Sequence, residues 1–397
     1  DGVSSFVDDA ESTGHTRKRE PRTTTEWAWL AGFVLAIVVI LVAGFLVARS
    51  GVRTILASTD GDVTNNVNDP GAPGYRLIVE SSPTTALGII VDGRLVSAAL
   101  IVPSADAAGG TWLIVPAETV VDGGDRLADL WAASGNEALR EPLADLVGVE
   151  PDSFEVLDEL RFETLVDPTG PVELTLADDL FAATDAGPEV RFGSGRVVLD
   201  PDEFATFLAW QNPGESPANR VSRQRDALSA WLAAESVEPE SPAIAGDLAT
   251  TIATLAGGTA VVETIPLVGT NGTNDRFEVD VDAVRERVLE IAPFARAATS
   301  VTRPLTLVLN STNNDQALTL AVATLAGSAG AQVTALGNGD DFLADSSTIR
   351  YVDETWADAA RQIAETLGID LVELDVAGNP AFDLTLVIGP DLAARAG

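Results

Sequence analysis

The 397-residue chain has no cysteine, one lysine and one histidine, and each shortage removes a class of chemistry. Without cysteine no disulfide can form, so packing must hold whatever the chain exports. The single histidine, His15, lies ahead of a long apolar run. The body of the chain beyond that run therefore cannot operate a Ser-His-Asp or Cys-His relay. Nor can it assemble a zinc site from imidazole or thiolate ligands. Carboxylates, arginines and a hard cation such as Mg²⁺ are what remain for catalysis. With 24 basic against 60 acidic residues the formal net charge is −36, and Lys18 is the only lysine. Such a surface repels nucleic acid, which is excluded as a partner, and any anion site must be a local gathering of arginines.

The longest uncharged stretch is Trp27–Val47, long enough as a helix to cross a bilayer. Arg17, Lys18, Arg19 and Arg22 precede it and Arg49 and Arg53 follow it. The positive-inside bias predicts a cytoplasmic tail over 1–26, a transmembrane helix over 27–47 and everything after it outside a cell membrane crossed once. A cleaved signal peptide fits less well, because its apolar core runs only roughly 7–15 residues. Residues 48–74 read as a linker. Within it, Asp60-x-Asp62 starts like a calcium loop but lacks the sixth-position glycine and the closing glutamate.

From Tyr75 the signals alternate. Arg76–Val79, Ala86–Val91, Leu95–Val102 and Thr111–Val115 are short β-branched runs between turn residues such as Asp92-Gly93, and read as strands. Glu137–Val147 places Leu139, Leu143 and Leu146 at helical spacing, with Pro142 as a defect. Phe154–Leu157 and Val172–Leu176 read as strands and Glu159–Leu165 as a short helix. Asp200-Pro201-Asp202-Glu203 offers an N-cap, a proline in the first turn and a glutamate at N3, so a helix runs through Phe204, Phe207 and Leu208. The next helix carries Arg220 and Arg223, three apart and on one face beside Val221, Leu228 and Leu232. Two guanidinium forks bordering apolar surface suit a phosphate attached to something greasy; a solvated helix face is the plain alternative.

Arg220-x-x-Arg223-Gln224, some twenty residues behind the segment Phe192–Leu199 and its following helix, resembles the R-x-x-RQ element of the LytR-CpsA-Psr (LCP) family. Upstream, Ile114–Thr119 (IVPAET) is similar to that family's S-I-P-R-D-T strand end. Arg94 stands where the arginine of R-S-D-T would, and Leu165–Val172 (LVDPTGPV) resembles L-V-D-x-x-G-G-V. The resemblance spans about Tyr75 to Ala295. Leu305–Asn310, a helix at Ala317–Ala326, strands at Gln332–Leu336 and Thr348–Val352, a helix at Thr355–Leu367 and strands at Leu371–Leu374 and Leu384–Gly389 resemble the small LytR C-terminal domain, with V-x-N at its start.

The resemblance implies an α/β fold with an LCP-like mixed central sheet flanked by helices over 75–295. After a connection at 296–303 comes a small C-terminal α/β module over 304–397. It also implies a reaction: transfer of a glycopolymer from a polyprenyl pyrophosphate carrier to peptidoglycan at the outer membrane face. Arginines would handle phosphate, a carboxylate-held Mg²⁺ would help, and an apolar cavity would take the lipid. The residues carried over are Arg94, Arg220, Arg223 and Gln224 for phosphate, with Glu118 and Asp167 as metal ligands. The chain departs from the pattern at Ala117 for the S-I-P-R-D-T arginine and at Val96 and Ser97 for the aspartate and threonine of R-S-D-T. Phe207–Gln211 also lacks the Y-x-R-x-R pair. Losing one preorganised donor costs about 10²–10³ in rate, so several losses should nearly abolish turnover. Two readings follow: a membrane-anchored envelope protein that binds a polyprenyl-phosphate-linked glycan or a protein partner with little or no catalysis, or a phosphotransferase with a shifted metal site. Asn271-Gly272-Thr273 and Asn310-Ser311-Thr312 match the glycosylation pattern and read as chance.

Overall fold

The computed structural model describes residues 67–235, 247–268 and 276–396. The expected tail and transmembrane helix, the linker before residue 67 and Asn271-Gly272-Thr273 lie outside the described residues. Among the described residues no helix is long and apolar enough to cross a membrane.

After a short strand β1 (Arg76–Ile78), three consecutive apolar runs form β2 (Thr85–Val91), β3 (Arg94–Pro103) and β4 (Gly109–Pro116). They pair antiparallel in sequence. Helices α1 (Leu127–Ser134) and α2 (Glu137–Val147) follow, α2 accommodating Pro142 within it. Strand β5 (Ser153–Leu157) then lies parallel to β2. Helix α3 (Glu159–Val166), capped by Asp158, leads to two two-stranded ribbons. These are β6 (Val172–Leu176) with β9 (Gly195–Leu199), and β7 (Leu180–Thr184) with β8 (Gly187–Phe192). Helices α4 (Pro201–Ala209), α5 (Pro217–Glu235) and α6 (Asp247–Ala256) cover the sheet. Asp200 occupies the N-cap of α4 but makes no side-chain cap bond, and Glu203 pairs with Arg191 instead. Strand β10 (Thr259–Thr264) adds parallel to β4, giving the mixed order β10-β4-β3-β2-β5. A small pair, β11 (Leu267–Val268) and β12 (Glu278–Val279), precedes α7 (Val281–Ile291).

Alternate side chains send this sheet into two cores, as the period of two requires. Leu87, Ile89, Ile101, Trp112 and Ile114 join one with Phe162, Phe204 and Trp231. Ala86, Ile90, Leu100, Leu113 and Val115 join the other with Leu139, Leu143 and Val288. A strand buried on both faces reads as a continuous apolar run, and that is how β2 to β4 read.

The second sheet holds β13 (Leu305–Asn310), β14 (Gln332–Asn338), β15 (Thr348–Tyr351), β16 (Leu371–Leu374) and β17 (Leu384–Ile388). Helices α8 (Gln316–Ser328), α9 (Ala357–Leu367) and α10 (Pro390–Ala396) accompany it. Its order is β1-β14-β13-β17-β15-β16. The strand expected to open the first domain thus completes the second sheet. Arg76 registers with Gly337, where a Cβ would meet the Tyr75 carbonyl oxygen at 2.0 Å, so glycine is what lets the two backbones close. The end of the expected linker is also bound there rather than free: Asn338 Nδ2 donates to the carbonyls of Pro70 and Ala72, and Gly74 N donates to Gly339 O. Residues 296–303 are similarly engaged. Ala297 N and Arg303 Nη2 donate to Gln332 Oε1 at 2.9 Å, and Glu150 N donates to Arg296 O.

The V-x-N asparagine has a structural task. Asn310 is 0 % exposed; its Oδ1 accepts from Thr312 and Asn313 and its Nδ2 donates to Asp315 O and Thr319 Oγ1. An amide so fully used and buried cannot carry a glycan.

Candidate functional site

The site lies beyond the C-terminal ends of β2 and β4. Asp92-Gly93, with φ of 51° and 72°, forms the two-residue turn whose twist matches the flanking strands. Arg94 follows at the head of β3, 79 % exposed, with Asp92 at 3.9 Å. From the end of β4 the chain turns through Ala117 and Glu118. Ala128 N donates to Ala117 O, which ties the first turn of α1 to that bend. Arg126, at the N-cap of α1, forks onto Asp129 at 2.7 and 2.8 Å. Trp131 on α1 donates its indole N–H to Gly93 O at 2.9 Å, fixing the ring beside the hairpin.

Helix α5 brings Arg220 to this place. A single nitrogen, Nη2, donates to both Oε1 and Oε2 of Glu118 at 2.7 Å, with the side chains only 10 % and 12 % exposed. Arg94, Arg126, Arg220, Asp92 and Glu118 line one cavity of about 600 Å³. Its remaining wall is largely apolar, with Val96, Trp131, Ala209 and Trp210. Three arginines gather here, each facing an acid: Arg94 faces Asp92, Arg126 faces Asp129 and Arg220 faces Glu118.

Arg223 and Gln224 do not line that cavity. Three residues along a helix turn about 300°, so Arg220 and Arg223 point about 60° apart, enough to give them different neighbours. Arg223 Nη2 donates to Trp210 O at 2.7 Å, and the guanidinium forks onto Glu215. Burial pushes the Glu215 carboxyl up, but Arg223 and the Asn212 amide outweigh it and hold it below its ordinary value of 4.5. Arg223 therefore fixes the loop 210–215, the lip that carries Trp210 and Gln211. Gln224 is buried and donates to Leu208 O at 2.8 Å, tying α5 to α4.

The residues present do not fit the expected Mg²⁺ site. Both Glu118 oxygens already accept from Arg220, and Asp167, in the turn after α3, does not line the cavity. Among the described residues no group of three His, Asp or Glu side chains is placed to hold a metal. Where the cleft meets the sheet its wall is Val91 and Val96, which belong to the core filled by Trp112, Phe162, Phe204 and Trp231.

Arg126, Trp131 and Trp210 are site residues that reading the motifs misses. The available signal is Asp129 three residues after Arg126, an N3 acid among Leu127, Leu130 and Trp131, which marks a helix start.

A strand-flanked, arginine-lined cleft thus lies under the helix that carries R-x-x-RQ, within a mixed α/β domain. Residues 115–254 match the LytR_cpsA_psr family model, and residues 307–392 match the model described as LytR cell envelope-related transcriptional attenuator. The chain carries a LytR-CpsA-Psr domain and, after it, a LytR C-terminal domain. Glu118, Asp167, Arg220, Arg223 and Gln224 fall inside the first match and Arg94 outside it. Among solved structures, Bacillus subtilis TagV is similar over 54 % of this chain and 98 % of its own, at 16 % identity and TM-score 0.41. B. subtilis TagT is similar over 54 % and 91 %, at 18 % identity and TM-score 0.42. TagT (YwtF) with bound octaprenyl pyrophosphate lipid is similar over 57 % and 94 %, at 17 % identity and TM-score 0.40. No curated protein matches the chain.

Proposed function

We propose that this chain is a cell-envelope protein of LCP type that binds the phosphorylated head of a polyprenyl-linked glycan in the Arg94–Arg126–Arg220 cavity and does not transfer it. The observation that carries the reading is Arg220, the first arginine of R-x-x-RQ, buried yet lining a cavity with two further arginines. Non-catalysis is supported by two of the departed positions. Ala117 is 1 % exposed and Val96 is 5 % exposed, packed into opposite cores, so no rotamer change supplies the missing charges. Without those donors a leaving pyrophosphate has too little stabilisation, at about 10²–10³ in rate for each. Binding asks less, since existing charge need only be met. Anchoring through Trp27–Val47, with 1–26 cytoplasmic, would hold the cavity outside the membrane near a lipid carrier and peptidoglycan.

The test is a titration of the full chain in detergent with a polyprenyl phosphate. Removing a hydrogen bond to a charged group is worth about 1.5–3 kcal/mol, so Arg220→Ala should bind at least about tenfold more weakly. Equal affinity in the two proteins defeats the binding reading. Release of lipid pyrophosphate from a polyprenyl-pyrophosphate oligosaccharide, with or without Mg²⁺, would defeat non-catalysis and favour the transferase. Protease added to intact protoplasts should digest the globular region; protection would reverse the topology.

A further inference from the structure

We infer that the outward face of helix α8 is a self-association surface, on which two copies of this chain pack α8 against α8, antiparallel, across a two-fold axis. The inference is independent of the cavity described above.

Among the described residues α8 is the one α-helix with no charged side chain, in a chain of net charge −36. One side of it covers the second sheet through Val322, Ala323 and Ala326, each 0 % exposed. The outward side carries Ala317, Leu320, Ala321, Thr324, Leu325 and Ser328, at the spacings of three and four that one helix face requires. Leu320 is 48 % and Leu325 49 % exposed. Both hydroxyls of this face are spent within the molecule: Thr324 Oγ1 donates to Leu320 O at 2.9 Å, and Ser328 Oγ donates to Leu289 O at 3.2 Å. A helix that is apolar all round is normally covered all round, and this face is left open among the described residues.

Charge and pattern point to the cover. Two copies of one polyanion repel, and the contact costs least where neither brings a charge to it. A helix lying in a lipid surface carries Lys or Arg and a bulky aromatic beside its leucines, and α8 has none of these. A two-fold contact also needs a patch that matches itself. An antiparallel axis between positions 322 and 323 sets Leu320 level with Leu325 of the second copy, Ala321 level with Thr324 and Ala317 level with Ser328. The two leucines stand about 140° apart around one helix, so across the axis they pass side by side and each meets small side chains. Charges border the two ends of the face. Asp315 caps the first; Glu286, Glu290 and Arg395 surround the groove that Leu325 lines at the second, where Glu290 is already held by Arg287. Antiparallel packing carries each Asp315 towards the other copy's Arg395. A helix of 13 residues is about 20 Å long and offers less than the roughly 800 Å² per partner of a stable complex, so the pairing is weak in dilute solution and fills where copies are crowded.

Because the chain has no cysteine, a single introduced thiol reports the contact without background. The experiment places the full chain bearing Ala321→Cys or Ala317→Cys in phosphatidylcholine vesicles at rising protein density and oxidises it. On the proposed axis the two 321 positions are offset by about 4.5 Å along the helices and the two 317 positions by about 16 Å. A disulfide bridges Cα atoms up to roughly 6.8 Å apart, so Ala321→Cys should give a linked dimer and Ala317→Cys at least about tenfold less. Adding Leu320→Asp should cut the Ala321→Cys yield at least about tenfold, because it brings unpaired carboxylates into the contact, and should leave the melting temperature unchanged, because the site is on the open side. Equal yields at 317 and 321, or a dimer at neither, overturn the inference. A polarity-sensitive fluorophore on Ala321→Cys that shifts to the blue at the lowest protein density, with no linked dimer, would assign the face to the bilayer and overturn it as well.

Discussion

The five-stranded and six-stranded regions solve burial differently. The first packs both faces of its sheet and concentrates aromatics in one core, where Trp231 meets Trp112, Phe162 and Phe204 with ring centroids 6.0–6.2 Å apart. It also buries two arginine–glutamate pairs. The six-stranded region fills its core with Val, Leu, Ile and Ala, keeps pairs such as Arg350–Glu373 half exposed, and uses the amides of Asn310, Gln332 and Asn338 for its buried polar bonds. Neutral amides fix a backbone at little desolvation cost, whereas buried charges are expensive unless paired. Buried ion pairs fix backbone in the first region, as Arg223 does for the loop 210–215, and amides do so in the second.

The contrast breaks first at Trp231. Trp231→Ala should cost about 3–5 kcal/mol of stability by chemical denaturation, against about 0.5–1.5 for Ile388→Val in the other core. A cost below about 1 kcal/mol would show that the aromatic cluster is not what holds the first region. Next in size, Glu215→Ala leaves Arg223 buried and unpaired, and about 3 kcal/mol should be lost, with disorder of the 210–215 lip visible in hydrogen exchange. Asn310→Ala, which strands the Thr312 and Asn313 amides, should cost about 1–3 kcal/mol. Glu373→Ala, the exposed counterpart of Glu215, should change stability by no more than about 1 kcal/mol; a larger loss would erase the distinction between the regions.

Glu215 also sharpens the comparison in acid. Its folded carboxyl lies below its ordinary 4.5, so its stabilisation is complete above that value and is lost as pH falls through the depressed folded one. Melting temperatures followed downward from pH 6 should fall more steeply in wild type than in Glu215→Gln. Parallel curves would mean that the pair contributes nothing in acid.

Locally encoded features were legible. Helix α2, strand β6 and strands β13 and β16 lie where periodicity and β-branched runs place them, because each signal is confined to its own residues. The β7–β8 ribbon was not, since its exposed residues carry no apolar alternation to read. Strand β1 was readable as a strand but not assignable to a sheet, because nothing in its residues names a partner so distant. At the site, spacing put Arg220 and Arg223 on one helix face, yet a 60° offset decides which acid each meets. Which acid it is depends on Glu118 and on the loop holding Glu215, and neither is written in the helix.

Strand β1 also sets a schedule. Arg76 donates to the carbonyl of Asn338, 262 positions later. At roughly 5–20 residues per second of synthesis, the first strand waits on the order of tens of seconds for the partner that will accept it. During that interval the five-stranded sheet can close, since none of its strands comes from the second sheet. The second sheet, translated last, is closed by the first strand of the globular region, so its β14 edge is covered only when both ends of that region have been made. A nascent chain lacking residues 70–78 would carry that edge unprotected, the kind of open strand from which aggregation starts.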